Sequence, residues 1–313
     1  MSPILGSFGS GSSGGFKSAT ATTSVAAGLY VFSTATFTPG GATARFGPTL
    51  AQAKSGITTD AGATWMNNTT YFNVTATGIM LWMVPATGTY RIETWGARGG
   101  NITSNNYWGG YGSRMRGDFS LTSGDIIKIL VGQSGGASYG GGGGGTFVAT
   151  NLDTPLIVSG GGNTLSPWSS TVSHAPVTTS GLPGQNYSNG GTNGGGGGTG
   201  PYGTASGGAG FTGNGASNGY NAAPLSFING GTGNINGCGN SIGGFGGGSA
   251  SDACYYGQSG PGGGYSGGGA GSTSGCYGGA GGSYNAGTNQ SNDAGNTGTA
   301  TLNGNGKCII TKL

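Results

Sequence analysis

The stretch Gly257-Gln-Ser-Gly-Pro-Gly-Gly-Gly-Tyr-Ser-Gly-Gly-Gly-Ala-Gly-Ser-Thr-Ser-Gly-Cys-Tyr-Gly-Gly-Ala-Gly281 decides how this chain folds. Glycine fills 13 of its 25 positions. An ordered glycine costs more backbone entropy than any other residue and buries no side chain in return. Such a stretch is either disordered or held by dense backbone hydrogen bonding. Left-handed helices of the polyproline-II kind supply that bonding when packed side by side. They have three residues per turn and no internal hydrogen bonds, so every N–H and C=O points at a neighbour. In steps of three from Gly257, seven of nine residues are Gly and the others are Ser266 and Ser272; about five would be expected at this local density. The excess points to short glycine helices joined by loops. A collagen register is excluded, because only 11 prolines are present and no G-X-Y repeat persists.

The composition of the whole chain extends this reading. Of 313 residues 79 are Gly, only 17 are charged, and His174 is the single histidine. An α-helical protein is excluded, since each glycine costs roughly 1 kcal/mol in a helix relative to alanine. No apolar run is long enough to cross a membrane as a helix, and a net charge of +3 is no basic patch for nucleic acid. Catalysis is not expected: acid–base chemistry needs positioned carboxylates, His or Lys, and between Thr154 and Gly306 the only formal charges are Asp252 and Asp293. Glycine-rich nucleotide motifs carry no weight at this glycine content, and no cofactor or metal site is expected. His174 sits in a Ser/Thr/Pro-rich stretch and reads as structural, solvated or in contact with a ligand.

Three regions follow. Residues 1–28 form a Gly/Ser/Thr/Ala-rich arm with apolar anchors at Ile4, Leu5, Phe8 and Phe16, which suits a disordered tail or an attachment segment that orders on a partner. The arm has neither a basic n-region nor a long apolar run, so export by a secretory signal is not expected. Residues 29–87 read as a small β module, with strands at 29–37, 71–75 and 78–85 and one short helix at 49–54. Residues 88–313 alternate strands with glycine. In Thr89-Tyr-Arg-Ile-Glu-Thr-Trp95 the period of two places Tyr90, Ile92 and Thr94 on one face and Arg91, Glu93 and Trp95 on the other. Further strands are expected at 118–125, 126–132, 146–149, 155–159 and 306–313, so the glycine-rich stretch between the last two folds back on its own sheet. The expected fold is mainly β with polyglycine-II helices and almost no α-helix. Trp65, Trp82 and Trp95 belong to its core.

Gly88 to Gly100, Gly124-Asp-Ile-Ile-Lys-Ile-Leu-Val-Gly-Gln133, Gly140 to Phe147 leading into Pro155 to Gly162, and Gly278 to Gly287 with the Gly304 to Thr311 ending resemble the glycine-rich domain of anaplastic lymphoma kinase-type receptors. The resemblance spans 88–313 and implies polyglycine-II helices attached to β-strands in a domain that binds partners without catalysis. The same module occurs in phage tail proteins, and the opening nine residues and the Tyr30 to Leu50 stretch are similar to the front ends of tail fibre and minor tail proteins. Unlike the receptors, the chain is expected to have no signal peptide, membrane helix or kinase sequence. These departures from the receptors favour a virion protein, made in a bacterial cytoplasm and released by lysis.

On this reading the function is host recognition by a tail fibre or adhesin. The alternatives are a structural virion decoration or filament subunit that mainly self-associates, and a secreted animal-type ligand-binding module. Expected partners are other tail proteins through the arm (Ile4, Leu5, Phe8, Phe16), a bacterial surface glycan or outer-membrane protein, and further copies of the chain; neither nucleic acid nor a membrane is among them. Aromatics that interrupt the glycine tracts are the receptor-binding candidates, because Tyr and Trp give large contact area at little entropy cost. They are Tyr107, Trp108, Trp168, Tyr187, Tyr202, Tyr255 and Tyr256, with Tyr111, Phe211, Tyr220, Tyr265, Tyr277 and Tyr284 in the same sets. The first seven lie in stretches 101–111, 163–189, 201–222 and 250–258, expected at the end of the bundle far from the strands, unless packing claims them. Cys238, Cys254, Cys276 and Cys308 show no metal-binding spacing and read as packed thiols or a crosslink formed after release.

Overall fold

A computed structural model describes residues 28–102, 107–136, 139–165, 171–186, 188–200, 205–217, 219, 222–236, 239–251, 258–272, 275–296 and 303–313. Its strands are β1 (Thr34–Phe37), β2 (Ile57–Thr59), β3 (Phe72–Val74), β4 (Met80–Met83), β5 (Gly88–Trp95), β6 (Asn101–Ile102), β7 (Tyr107–Trp108), β8 (Arg114–Leu121), β9 (Ile126–Leu130), β10 (Thr146–Thr150), β11 (Pro155–Ser159), β12 (Tyr284–Asn285) and β13 (Lys307–Lys312). The fold is mainly β, and its single α-helix among the described residues is α1 (Leu50–Ser55), six residues long. Thr49 caps α1, accepting from the Gln52 N–H while its own N–H donates to Gln52 Oε1 at 2.9 Å.

Two antiparallel sheets face each other, one in the order β2-β1-β13-β5-β8 and the other β12-β11-β10-β9-β4-β3. Their inner faces bury Phe37, Phe72, Trp82, Tyr90, Ile92, Met115, Ile127, Ile129, Val148 and Ile310 in one cluster. The alternation expected in β5 holds: Tyr90, Ile92 and Thr94 are fully buried inward. Outward, Arg91 grips Asp118 of β8 (2.8 Å), and Glu93 meets Arg114 (2.6 Å). Trp95 is buried on the outer side, beneath the ammonium of Lys307 at 4.2 Å and the guanidinium of Arg114 at 5.5 Å. β8 starts four residues before the expected strand, because Arg114, Arg116 and Asp118 keep the same alternation with charged outer residues. Its free edge is covered by 288–293, where Thr288 and Asp293 exchange backbone hydrogen bonds with Asp118 and Arg114.

The segment 29–87 shares both sheets with the rest of the chain: β1 pairs with β13 and β4 with β9. The rise in glycine content at residue 88 therefore separates no sheet from another. It marks where strands begin to continue as glycine helices.

That continuation positions everything else. β5 runs into 96–100, 109–113 run into β8, β9 runs into 131–136, 140–145 run into β10, β11 runs into 160–165, and 275–283 run into β12. At the junction, hydroxyls replace apolar side chains: Thr94 Oγ1 lies 2.6 Å from Ser159 Oγ, and Ser113 Oγ lies 2.7 Å from Ser283 Oγ. Beyond it the hydrogen bonds follow a period of three. The N–H groups of Gly142 and Gly145 donate to Ser249 and Gly246 of one neighbour, while Gly143 and Gly144 between them donate to Gly162 and Gln133 of two others. Gly262 and Tyr265 donate to Gly279 and Gly282, and Gly267 and Ala270 to Gly195 and Gly198. This is the register of threefold polyglycine-II helices, both parallel and antiparallel. Close approach, not dihedral freedom, requires glycine here. A Cβ on Gly142, Gly143 or Gly144 would overlap the carbonyl of Pro261, Ala97 or Phe245 respectively, and none of the three has a left-handed φ.

Candidate functional site: the far end of the glycine bundle

Because strands run straight into glycine helices, the bundle has an end on the sheets and an end about 15 Å beyond them for a five-residue segment. Between β11 and β12 the chain travels out and back, and its turns alternate between those ends. The near turns carry Phe211, Phe227, Phe245 and Tyr265. The three phenylalanines are buried against Leu130, Phe147, Ala149 and Val158 on the outer face of the second sheet. Phe211 stacks on Phe227 at 4.8 Å, and Tyr265 on Tyr284 of β12 at 4.6 Å. Gly230, Gly231, Gly246 and Gly247 make these turns with left-handed φ, which disfavours any side chain there.

The stretches 163–189 and 201–222 are therefore not single loops. Val172 to Thr178 returns along the bundle flank, where Ala175 donates to Tyr111 and Thr178 accepts from Ser283. Residues 205–210 return to the sheets, where Phe211 is core rather than surface. Phe211, Tyr265 and Tyr284 are packing residues. A sequence signal for this exists: interruptions in an up-and-down bundle alternate ends, and all three buried near-end rings of the insert are Phe, with no hydroxyl to satisfy.

Of the seven receptor-binding candidates, two are among the described residues. Tyr107 and Trp108 form β7, which pairs with β6 as Asn101↔Trp108 and Ile102↔Tyr107. Trp168, Tyr187, Tyr202, Tyr255 and Tyr256 lie outside the described residues, as do Tyr220, Cys238, Cys254 and the arm residues Ile4, Leu5, Phe8 and Phe16. The described stems on either side of these candidates meet one another. Thr164 donates through its N–H to Gly260 and through Oγ1 to Gly100, each at 3.0 Å. Asn163 Oδ1 accepts from Ser173 N–H at 2.7 Å, and Ala205 N–H donates to Gln258 Oε1 at 3.1 Å. Asn236 Oδ1 accepts from Asn240 and Ser241, while its amide donates to Ser251 O at 3.2 Å. These buried amides tie the described stems to one another. Gln258 is fully buried, and its Nε2 has no hydrogen-bond partner among the described residues.

On the flank, His174 packs flat against Tyr111 (5.6 Å, 16°), whose other neighbour is the Arg98 guanidinium 4.2 Å from the ring centre. Its Nδ1 accepts from the Tyr111 N–H at 2.9 Å, which leaves the neutral ring protonated on Nε2. Desolvation, and then the charge of Arg98, push its pKa below the usual value. The histidine is thus a structural one. Of the cysteines, Cys308 is a fully buried thiol on β13 opposite Thr94, and its pKa is raised by burial, while Cys276 Sγ lies 3.5 Å from Ser272 Oγ. Among the described residues no cluster of His, Cys, Asp and Glu is placed to hold a metal.

At the opposite end of the sandwich, Leu29 N–H donates to Pro85 O at 2.7 Å and Leu313 N–H to Thr89 O at 2.9 Å. The segment that follows the arm and the last residue therefore share one base. Leu29, Val31 and Leu313 are 45%, 86% and 58% exposed there.

No protein-family model matches the chain. A stretch of 112 residues, 34% of the chain, is 34% identical to the leukocyte tyrosine kinase receptor of Mus musculus and covers 11% of that receptor's length. The receptor side of the resemblance thus has support over about a third of the chain.

Proposed function

We propose that this chain is a phage tail fibre or adhesin that recognises the host cell surface through turns on a polyglycine-II scaffold, without catalysis. The observation that carries the proposal is polarity: the arm-bearing segment sits at the base of the sandwich, and the stems of the aromatic turns gather at the far end of the bundle. Glycine flanks offer a partner only weak contact, so specificity falls to the side chains in those turns. A surface glycan or an outer-membrane protein is the proposed ligand, with other tail proteins held through Ile4, Leu5, Phe8 and Phe16. The proposed location is the virion tail.

A second reading, a decoration or filament subunit that mainly self-associates, draws support from the exposed Leu29, Val31 and Leu313 at the base. An electron cryo-microscopy map of the native particle distinguishes the two. The adhesin reading expects the base against a different tail protein and the far end free. A far end buried against an identical subunit would overturn it.

A further inference from the structure

Where the sheets meet the bundle, the segment Ala44-Arg45-Phe46 stands out from the flank on a fixed backbone. Three bundle segments pin it: Phe245 N–H donates to Ala44 O at 2.7 Å, Gly233 N–H to Arg45 O at 3.1 Å, and Gln133 Nε2 to Phe46 O at 2.9 Å. Ala44 is held at φ +64°, a conformation that costs a non-glycine residue about 1 kcal/mol or more. The result is a presented pair. Phe46 is 61% exposed, and the Arg45 guanidinium lies over one face of its ring at 4.6 Å. Arg45 has no carboxylate partner among the described residues. Its Nε, and the Oε1 of the fully buried Gln133 behind Phe46, are shielded polar atoms without a hydrogen-bond partner. A buried unpaired polar atom costs about 1–3 kcal/mol, and internal packing does not explain either one here.

We infer that Arg45, Phe46 and Gln133 form a second binding site, for a carboxylate-bearing sugar. A pyranose lays its C–H face on an aromatic ring, and its carboxylate pairs with a guanidinium edge in charge-assisted hydrogen bonds. Gln133 supplies an acceptor for a sugar hydroxyl once Phe46 shifts to take the ring. A single arginine does not suit the run of phosphates of a nucleic acid. The site lies on the flank and does not depend on the far-end turns.

The test titrates the isotope-labelled full chain with glucuronate, galacturonate, N-acetylneuraminate and glucose, observing the Arg45 Nε–H and Gln133 side-chain resonances and saturation transfer from Phe46. At least one acidic sugar should shift these resonances, glucose far less. Phe46→Ala, at an exposed side chain, and Arg45→Gln, at a half-buried one, should each weaken binding about tenfold, while Leu152→Ala in the exposed turn between β10 and β11 leaves it unchanged. The site is refuted if none of the acidic sugars shifts the resonances, or if Arg45→Gln binds as the parent does.

Discussion

The rings of Phe211 and Phe227 stack 4.8 Å apart at 20° although they occupy separate near-end turns, and both rest on Phe147 of β10. This stack is the apolar attachment of the glycine insert to the sandwich. Phe211→Ala should lower unfolding stability by about 3–5 kcal/mol and raise amide exchange in 205–217 before it does so in β5 or β13. Urea denaturation with hydrogen-exchange mass spectrometry measures both. Uniform protection across insert and sheets in the variant would deny the stack its role.

Gly143 and Gly88 should behave oppositely as alanines. A Cβ on Gly143 would overlap the Ala97 carbonyl, whereas a Cβ on Gly88 meets only the end of Lys312 at 3.6 Å. Gly143→Ala should cost about 3 kcal/mol or more. Gly88→Ala should be neutral or stabilise by up to about 1 kcal/mol through the unfolded chain. Denaturation midpoints of the pair check this, and equal effects would contradict the bundle geometry.

His174, as the lone histidine, titrates without overlap in a proton NMR spectrum. Its folded pKa should fall below 6.5, since desolvation first and Arg98 second oppose its charge. The unfolded chain takes up the proton first as pH falls. The stability contributed by keeping His174 neutral is therefore present above about pH 6.5 and lost as pH drops from there through the folded pKa. His174→Gln should flatten the pH dependence of stability in that window. A folded pKa above 6.5 would reverse the sign.

Asp118 works in the same direction at lower pH. The Arg91 guanidinium, with Asn289, holds its carboxyl below the usual carboxylate value of 3.8. The pair's contribution is present above that value and lost as pH falls through the folded pKa. Asp118→Asn should thus reduce the acid sensitivity of unfolding while lowering stability at neutral pH. An unchanged acid limb in denaturation profiles would exclude the pair as its source.

Strands with β-branched or aromatic alternation, such as β5, β9 and β11, are legible in the sequence, as is the short helix that Thr49 caps. β2 and β12, with three and two residues, are too short to show a period. The threefold glycine pattern is weak for a physical reason. An interior helix such as 142–145 touches neighbours on every side, so all three phases must be glycine and the period disappears. It survives on the outer segment 195–200, where Gly197 and Gly200 are buried and 195, 196, 198 and 199 are not. Which aromatic turn lies at which end depends on counting passes through the bundle, which composition does not give. Phe211 illustrates the difficulty: six residues after Ala205, which is tied to Gln258, it is already core at the near end.

The proposed function assigns host binding to the turns that carry the aromatic candidates. The direct measurement is adsorption of intact particles to host cells after replacing Trp168, Tyr202, Tyr255 and Tyr256 by alanine one at a time, with folding checked for each. At least one variant should adsorb about tenfold less than the parent, a loss of about 1.4 kcal/mol, with little dependence on salt because these turns carry almost no charge. If all four fold and adsorb as the parent does, recognition lies elsewhere on the molecule.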